Sequence, residues 1–314
     1  MKYLFFFLLP YFCFSQEEGL HYFIGKDSLV GVKNSKGEII IPAEFDDARL
    51  RGLEDGQKIE ENLIFFIFHK DKKVNPPKSG GFMYDHKGNF LFHPFWFDNG
   101  PDYFSEGLMR FVGNNNKVGF ANKEGKIIIE PKYDFVFPFE YGYADFCNDC
   151  REECASKDDC EHKVVVGGTW GKINKKGEII KPSEKPKSPN DIEIEGVFYP
   201  NPFIYSEKEQ KIIDFFRKQE NEIAYLHYEK FSNASDIKDR KVYFEIVDVP
   251  RKDFPFYEVY MYDNSRNRED DCTFIVSEDG EKVYHYDFWG EKMEFHKWKE
   301  NRAKLNSSKY KIRE

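Results

Sequence analysis

The sequence carries no excess of positive charge, because its 314 residues have a formal net charge of -9 and 33% of them are charged. The negative net charge excludes a nucleic-acid binder that relies on bulk positive charge. The charged fraction and the negative mean hydropathy exclude an integral membrane bundle. Alanine and leucine are sparse, whereas 33 Phe and 19 Tyr bring the aromatic fraction to 18%. This composition favours strands over helices.

Recognisable catalytic motifs are missing as well. The 8 histidines are scattered, and none stands in an H-E-x-x-H pair. There is no G-x-S-x-G motif, no phosphate-binding glycine-rich loop and no dinucleotide fingerprint. We therefore predict a protein that is not an enzyme, with no cofactor and no nucleic-acid partner.

One long apolar run stands at the N-terminus. Lys2 precedes apolar residues from position 3 to 14, and the small residues Cys13 and Ser15 come before Gln16. This pattern predicts a signal peptide over residues 1–15, and its run is too short for a bilayer, which needs about 20 residues. A buried N-terminal strand is the alternative. We expect an exported protein, periplasmic, cell-surface or secreted, without a transmembrane segment in the mature chain.

An internal repeat occupies residues 16–182. Residues 18–41 and 106–129 align without a gap, and partial copies follow at 81–98, 139–146 and 170–182. The glycines that recur in this frame are Gly31, Gly37, Gly88, Gly119, Gly125, Gly171 and Gly177. Each unit has a short strand, a polar turn with glycine, an apolar strand and an aromatic-Asp pair. Because such units cannot bury a face alone, they must stack, which predicts an array of antiparallel hairpins, solenoid or propeller-like.

Residues 118–146 and 169–182 resemble WG repeats, a family named for the Trp-Gly pair that opens each hairpin. Trp170 and Gly171 keep this pair, whereas valine replaces tryptophan at positions 30 and 118. The resemblance covers about residues 17–182. It implies a β-rich scaffold of interaction or binding modules, without catalysis.

A cysteine-rich insertion lies at residues 147–162, at the tip of one hairpin. It holds Cys147, Cys150, Cys154 and Cys160, which are four of the five cysteines left after signal removal. In an exported protein, such a cluster predicts two disulfides, with three possible pairings. The alternatives are a zinc site made from these four cysteines and His162, or free or redox-active thiols. Cys272 is expected to be a buried strand residue.

The C-terminal half is predicted to be a separate α+β domain over residues 204–290. Prolines concentrated between residues 181 and 202 predict an extended linker over 183–203. Ser206 and Glu209 form a capping box that starts a helix reaching about residue 230. Strands are expected at 241–249, 256–262, 272–277 and 282–289, with a hairpin turn at 278–280. Residues 291–314 are expected to be a solvated basic tail.

The sequence leaves several functional classes open. We favour an exported binding or scaffold protein whose repeats present a surface to an envelope or extracellular protein or glycan. The first alternative is a ligand-binding or enzymatic C-terminal domain, and the second is an immunity or inhibitor protein. The residues expected to line a C-terminal pocket are Tyr257, Tyr260, Tyr284, Tyr286 and Trp289, for which a plain packed core is the competing interpretation.

Overall fold

The computed structural model describes residues 19–74, 78–97, 100–156, 159–228 and 241–310. Its strands pair antiparallel, as predicted. The chain divides into two compact units. Unit 1 comprises Met1–Asn75 and Gly81–Phe90, and unit 2 comprises Pro76–Gly80 and Leu91–Glu314. Among the described residues, no helix combines the length and the apolar character needed to cross a membrane.

Unit 1 holds the first repeat. Its elements are β1 (Leu20–Ile24), β2 (Val30–Asn34), β3 (Ile39–Phe45), α1 (Ala48–Arg51), β4 (Ile64–Phe66) and β5 (Phe82–Tyr84). Strands β1, β2 and β3 form an antiparallel sheet, and β4 pairs with β5. The ring of Phe45 stacks on that of Phe66 with centroids 4.0 Å apart. Part of the aromatic excess therefore fills the core of this unit.

Unit 2 contains the end of the copy at residues 81–98 and the later copies of the repeat. Its first elements are β6 (Phe90–Pro94), β7 (Trp96–Phe97), β8 (Gly100–Pro101), β9 (Leu108–Val112), β10 (Val118–Asn122), β11 (Ile127–Tyr133), β12 (Phe135–Val136), β13 (Tyr143–Ser156), β14 (Asp159–Asn174) and β15 (Ile179–Ile180). The first residue of β6 is assigned to unit 1 and the other four residues to unit 2. Strands β6, β9, β10 and β11 pair in that order, and β12, β13, β14 and β15 form a second sheet.

The C-terminal half belongs to the same compact unit. Its elements are β16 (Ile192–Ile194), β17 (Val197–Tyr199), α2 (Glu207–Arg217), α3 (Glu220–Tyr228), β18 (Tyr243–Asp248), β19 (Phe256–Tyr262), β20 (Arg268–Ser277), β21 (Val283–Tyr286), β22 (Lys292–Glu294) and α4 (Phe295–Tyr310). Strands β18 to β22 form a five-stranded antiparallel meander. The boundary between the compact units falls within the repeats and not at the proline-rich segment.

Three C-terminal segments differ from the sequence-based expectation. The predicted single helix is two helices, α2 and α3, although the capping box of Ser206 and Glu209 is present. The proline-rich segment contains the hairpin of β16 and β17. The expected basic tail instead forms β22 and α4, because Phe295 and Trp298 are buried in the core against α2 and the meander. The free energy gained by burying these two large apolar side chains is greater than the cost of placing the surrounding charged residues on a helix.

The hairpin turns of the repeats share one arrangement of hydrogen bonds. The side-chain oxygens of Asn34, Asn122 and Asn174 each accept two backbone N–H groups, two and four residues further on. Asp85 does the same in another copy. The glycine three residues after each has a positive φ, between +76° and +87°. Side chain and glycine together specify these turns.

Gly31 and Gly119, which stand at the glycine position of the Trp-Gly pair in two copies of the repeat, allow two strands to approach closely. A Cβ on Gly119 would lie 2.4 Å from the carbonyl oxygen of Ile129, and one on Gly31 would lie 2.6 Å from that of Ile41. The β10–β11 pairing is irregular around Gly119, which brings the backbone of β11 over it. A side chain at this position would clash with backbone atoms of the neighbouring strand, which can be relieved only if that strand shifts.

Candidate binding cleft

A cavity of about 500 Å³, named the central cleft here, lies within unit 2 between repeat turns and the C-terminal meander. The repeat wall comes from the turns before β9 and β13, and the opposite wall from β19, β20 and their connecting turn. Residues that line it are Tyr103, Ser105, Glu106, Phe137, Glu140, Tyr141, Asp145, Lys172, Glu195, Tyr260, Tyr262, Arg266, Arg268 and Asp270. Its volume falls within the usual range for small-molecule sites.

Two tight turns of the repeats form the first wall. Glu106-Gly107 and Tyr141-Gly142 each close a turn whose flanking residues exchange two backbone hydrogen bonds. Glu106 has a φ of +50° and Tyr141 a φ of +48°. Positive φ is unfavourable for such residues, and these turns normally use Asn, Asp or Gly. Their side chains explain the exception, because both reach the C-terminal meander.

Glu106 ties its turn to β19. Its buried carboxylate accepts hydrogen bonds from the Tyr262 hydroxyl at 2.6 Å and from the Gly142 N–H at 3.0 Å, and it lies 3.2 Å from Lys175 Nζ. Burial, and then the negative charge of Glu106, raise the pKa of Tyr262 well above its ordinary value. The tyrosine therefore stays a hydrogen-bond donor to the carboxylate at neutral pH.

Glu245 ties the second turn to β18 in the same manner. Its carboxylate accepts hydrogen bonds from Tyr141, at 2.6 Å, and from Tyr205. Burial raises the pKa of Glu245, while the two hydroxyl donors act in the opposite direction. Charge-assisted hydrogen bonds of this kind are stronger than neutral ones. The wall of the cleft is thus held by two buried carboxylates, one from each side.

Arg266 projects from the turn between β19 and β20. This turn repeats the arrangement seen in the repeats, because Asp263 Oδ1 accepts two backbone N–H groups. Arg266, with a φ of +70°, occupies the position where the repeats have glycine. Its guanidinium lies over the rings of Tyr243 and Tyr141, at 3.1 and 4.6 Å from their centroids. Cation–π contacts offset the unfavourable backbone conformation and fix the charge at the cleft.

Arg268 provides a second fixed cation. Its guanidinium lies 3.7 Å from the ring centroid of Tyr260, and its backbone N–H donates to Glu140 Oε1 at 2.9 Å. The buried Arg268 Nε has no hydrogen-bond partner among the described residues, and Asp270 Oδ1 lies 3.5 Å away. A buried donor without an acceptor costs free energy, so a ligand oxygen would relieve it.

The mouth of the cleft carries exposed rings. Tyr103 is 58% exposed and Phe137 is 42% exposed, and the Phe137 centroid lies 6.3 Å from that of the half-exposed Trp170. Carboxylates stand beside them, and burial followed by the nearby charges of Glu106, Asp263 and Asp270 raises the pKa of Glu140. Flat apolar faces next to fixed polar groups form a surface that can orient a ligand.

The structure brings one of the five predicted C-terminal site residues to this cleft, namely Tyr260. Tyr257 is buried in the core beneath α2. Tyr284 and Tyr286 are half-buried against Phe256 and Phe254, respectively. Trp289 is 83% exposed in a turn. These residues do not share one pocket, because alternate residues of a strand face opposite sides of the sheet.

The cysteine insertion is a two-stranded ribbon and not a loop without secondary structure. Strands β13 and β14 continue their antiparallel pairing through it. Cys147 and Cys150 are free thiols, and Cys147 Sγ lies 3.7 Å from the Gly167 carbonyl oxygen. The prediction of two disulfides is therefore wrong for these two residues. Around Cys147 and Cys150, backbone pairing between β13 and β14 holds the two strands of the ribbon together.

The zinc alternative stays a prediction. The side chains of Cys160 and His162 lie outside the described residues. Among the side chains that are described, no group of three or more His, Cys, Asp or Glu residues is arranged to hold a metal ion. Burial, and then the neighbouring Cys147 thiol, raise the pKa of Cys150 to about 12. Cys150 is therefore a neutral thiol at physiological pH.

The described strands between residues 19 and 182 pair antiparallel in hairpins. The family model for the WG containing repeat matches residues 31–50 and 119–149, which confirms the resemblance. These segments span the Gly31 and Gly119 close approaches and one turn of the central cleft. Comparisons with curated proteins and with solved structures gave no match.

Proposed function

We propose that this is an exported, non-catalytic binding protein whose central cleft takes a neutral oligosaccharide. The observation that carries the proposal is the pair of exposed rings, Tyr103 and Phe137, at the mouth of a cleft with fixed charged groups. Apolar ring faces pack on the C–H faces of sugars, and carboxylates and guanidinium groups bind hydroxyls.

The balance of charges favours a neutral ligand. The cleft is lined by charged groups of both signs, namely Glu106, Glu140, Asp145, Glu195 and Asp270 together with Lys172, Arg266 and Arg268. An anionic ligand would meet the carboxylates and a cationic ligand the three cations, so either would include repulsive contacts. Sugar hydroxyls donate and accept hydrogen bonds, and they therefore suit both kinds of group.

Removing the rings is expected to weaken binding. For Tyr103→Ala and Phe137→Ala, we expect a loss of about tenfold or more in affinity, as for a ring that packs on a ligand. The measurement is calorimetric titration of the full chain with free neutral oligosaccharides. Phe288→Ala is the control, because Phe288 is 93% exposed but lies outside the cleft. Binding that is absent in the wild type, or equal in all variants, contradicts the proposal.

Export and cysteine chemistry are tested by one mass measurement. Residues 1–18 lie outside the described residues, so the cleavage after Ser15 stays a prediction. Because Cys147, Cys150 and Cys272 form no disulfide, a disulfide in the mature chain is left to Cys154 and Cys160. We expect the intact mass of the exported protein to correspond to a chain starting at Gln16 with one disulfide, which reduction opens. An N-terminus at Met1, or two disulfides, would contradict these expectations.

A further inference from the structure

A cysteine, a histidine and a glutamate are connected by hydrogen-bond contacts on the side of unit 2 formed by α3 and β20. Cys272 Sγ lies 3.2 Å from His227 Nδ1, and His227 Nε2 lies 2.9 Å from Glu269 Oε2. The other oxygen of Glu269 accepts a hydrogen bond from the Tyr228 hydroxyl at 2.7 Å. His227 lies in the last turn of α3, whereas Cys272 and Glu269 both belong to β20.

These contacts indicate which ring nitrogen of His227 carries the proton. The carboxylate of Glu269 is an acceptor, so His227 carries its proton on Nε2 and leaves the Nδ1 lone pair facing the thiol. The imidazole is then oriented by the carboxylate and positioned as a base for the sulfur. Nucleophile, base and orienting acid stand in the relation that activates a weak nucleophile.

We propose that Cys272 is a thiol-oxidation site at which His227 and Glu269 prepare the sulfur to attack hydrogen peroxide. The side chain of Cys272 is fully buried within the apolar core. Burial excludes a bulky substrate, whereas peroxide is uncharged and close to water in size. The class of reactant is therefore a small neutral peroxide.

The reaction balances with peroxide as the oxidant. The Cys272 proton moves to His227 Nδ1, and the resulting thiolate attacks one peroxide oxygen. The S–O bond forms as the O–O bond breaks, and the leaving hydroxide takes the proton from His227 and departs as water. Sulfur loses two electrons and peroxide gains them, which yields a sulfenic acid.

Cys150 is an internal comparison for this reaction. It is more exposed than Cys272, and its described neighbours provide a second thiol and no histidine contact. Because the thiolate is the reactive form, the exposed thiol is expected to react more slowly than the buried one. The proposal therefore predicts that the less exposed thiol, Cys272, reacts faster than the more exposed thiol, Cys150.

The test is timed peroxide treatment of the reduced full-length protein, after which peroxide is removed, the protein is denatured in the presence of a sulfenic-acid trap, and the peptides are analysed by mass spectrometry. We expect Cys272 to be trapped about tenfold faster than Cys150. His227→Asn and Glu269→Gln are expected to slow trapping at Cys272 by about tenfold or more, because each removes part of the base. Asp271→Asn is the matched control, since it removes a neighbouring carboxylate and leaves the three contacts intact.

Circular dichroism identifies variants that fail to fold. If His227→Asn does not fold, Glu269→Gln decides the question, because its amide keeps the shape of the carboxylate. No trapping at Cys272, or an unchanged rate in folded Glu269→Gln, would overturn the proposal and leave these contacts a structural role. Neither result depends on oligosaccharide binding at the central cleft.

Discussion

The Asp102→Ala variant is expected to lose about 3–5 kcal/mol of unfolding free energy in unit 2, because it leaves a buried guanidinium without its counter-ion. The side chains of Arg110 and Asp102 are 0% and 1% exposed, and two hydrogen bonds of 2.9 and 2.6 Å join them. Arg110 also donates to the Val136 carbonyl oxygen at 3.0 Å. Denaturant unfolding monitored by aromatic fluorescence provides the measurement.

Two further variants separate the ion pair from general effects of mutation. Glu153→Ala removes the partner of Arg151 from an exposed pair on the ribbon, and it is expected to cost less than about 1 kcal/mol. The double variant Arg110→Met with Asp102→Leu removes both charges, and it should recover much of the lost stability. If Asp102→Ala costs no more than Glu153→Ala, the buried pair does not stabilise the repeats.

The second large effect is expected at the glycine of the Trp-Gly position. Gly119→Ala should reduce the unfolding free energy of unit 2 by about 2–3 kcal/mol, because the added methyl group overpacks a rigid site. The new Cβ would stand 2.4 Å from the Ile129 carbonyl oxygen and 2.8 Å from the Pro131 nitrogen. Both are backbone atoms, so relief requires the strand β11 to move.

Gly100→Ala is the matched control for this substitution. Gly100 lies in β8 of the same unit, and its Cβ would meet nothing within 4 Å. We expect a change within about 0.5 kcal/mol in either direction. Equal midpoints of chemical denaturation for Gly119→Ala and Gly100→Ala would show that close approach is not the reason for glycine at position 119.

Local patterns were enough to predict the hairpins. The turn around Asn122 and Gly125 needs a side-chain acceptor and a residue that tolerates positive φ, and both are visible within five residues of sequence. The meander was predictable for the same reason, since Glu278-Asp279-Gly280 marks its hairpin between β20 and β21. The strand β19 has the predicted bounds of Phe256–Tyr262.

The central cleft was not predictable, because its residues meet across long separations in the chain. The hydrogen bond from Tyr262 to Glu106 joins residues 156 positions apart. The turns at Glu106 and Tyr141 share the local pattern F-x-x-G, at residues 104–107 and 139–142, but this pattern does not reveal that the C-terminal meander packs on them. Arg266 was missed because it replaces a turn glycine, and its stacking on Tyr243 depends on the fold.

The fate of the C-terminal segment has a similar explanation. Its excess of Lys and Arg indicates a solvated tail, whereas Phe295 and Trp298 are three positions apart and share one face of α4. Two large apolar residues on one face are a weak pattern in a helix of sixteen residues. These two residues determine that the segment packs as a helix, because α2 and the meander provide an apolar surface that buries them.

The most direct test of the account is amide hydrogen exchange of the full chain, with and without a saturating neutral oligosaccharide. Slower exchange is predicted in three places: the turn at residues 104–108, the turn at residues 139–143, and residues 263–268. These segments belong to the two walls of the central cleft. Protection confined to unit 1 or to the ribbon of β13 and β14, or no change anywhere, would contradict the assignment of the cleft as the binding site.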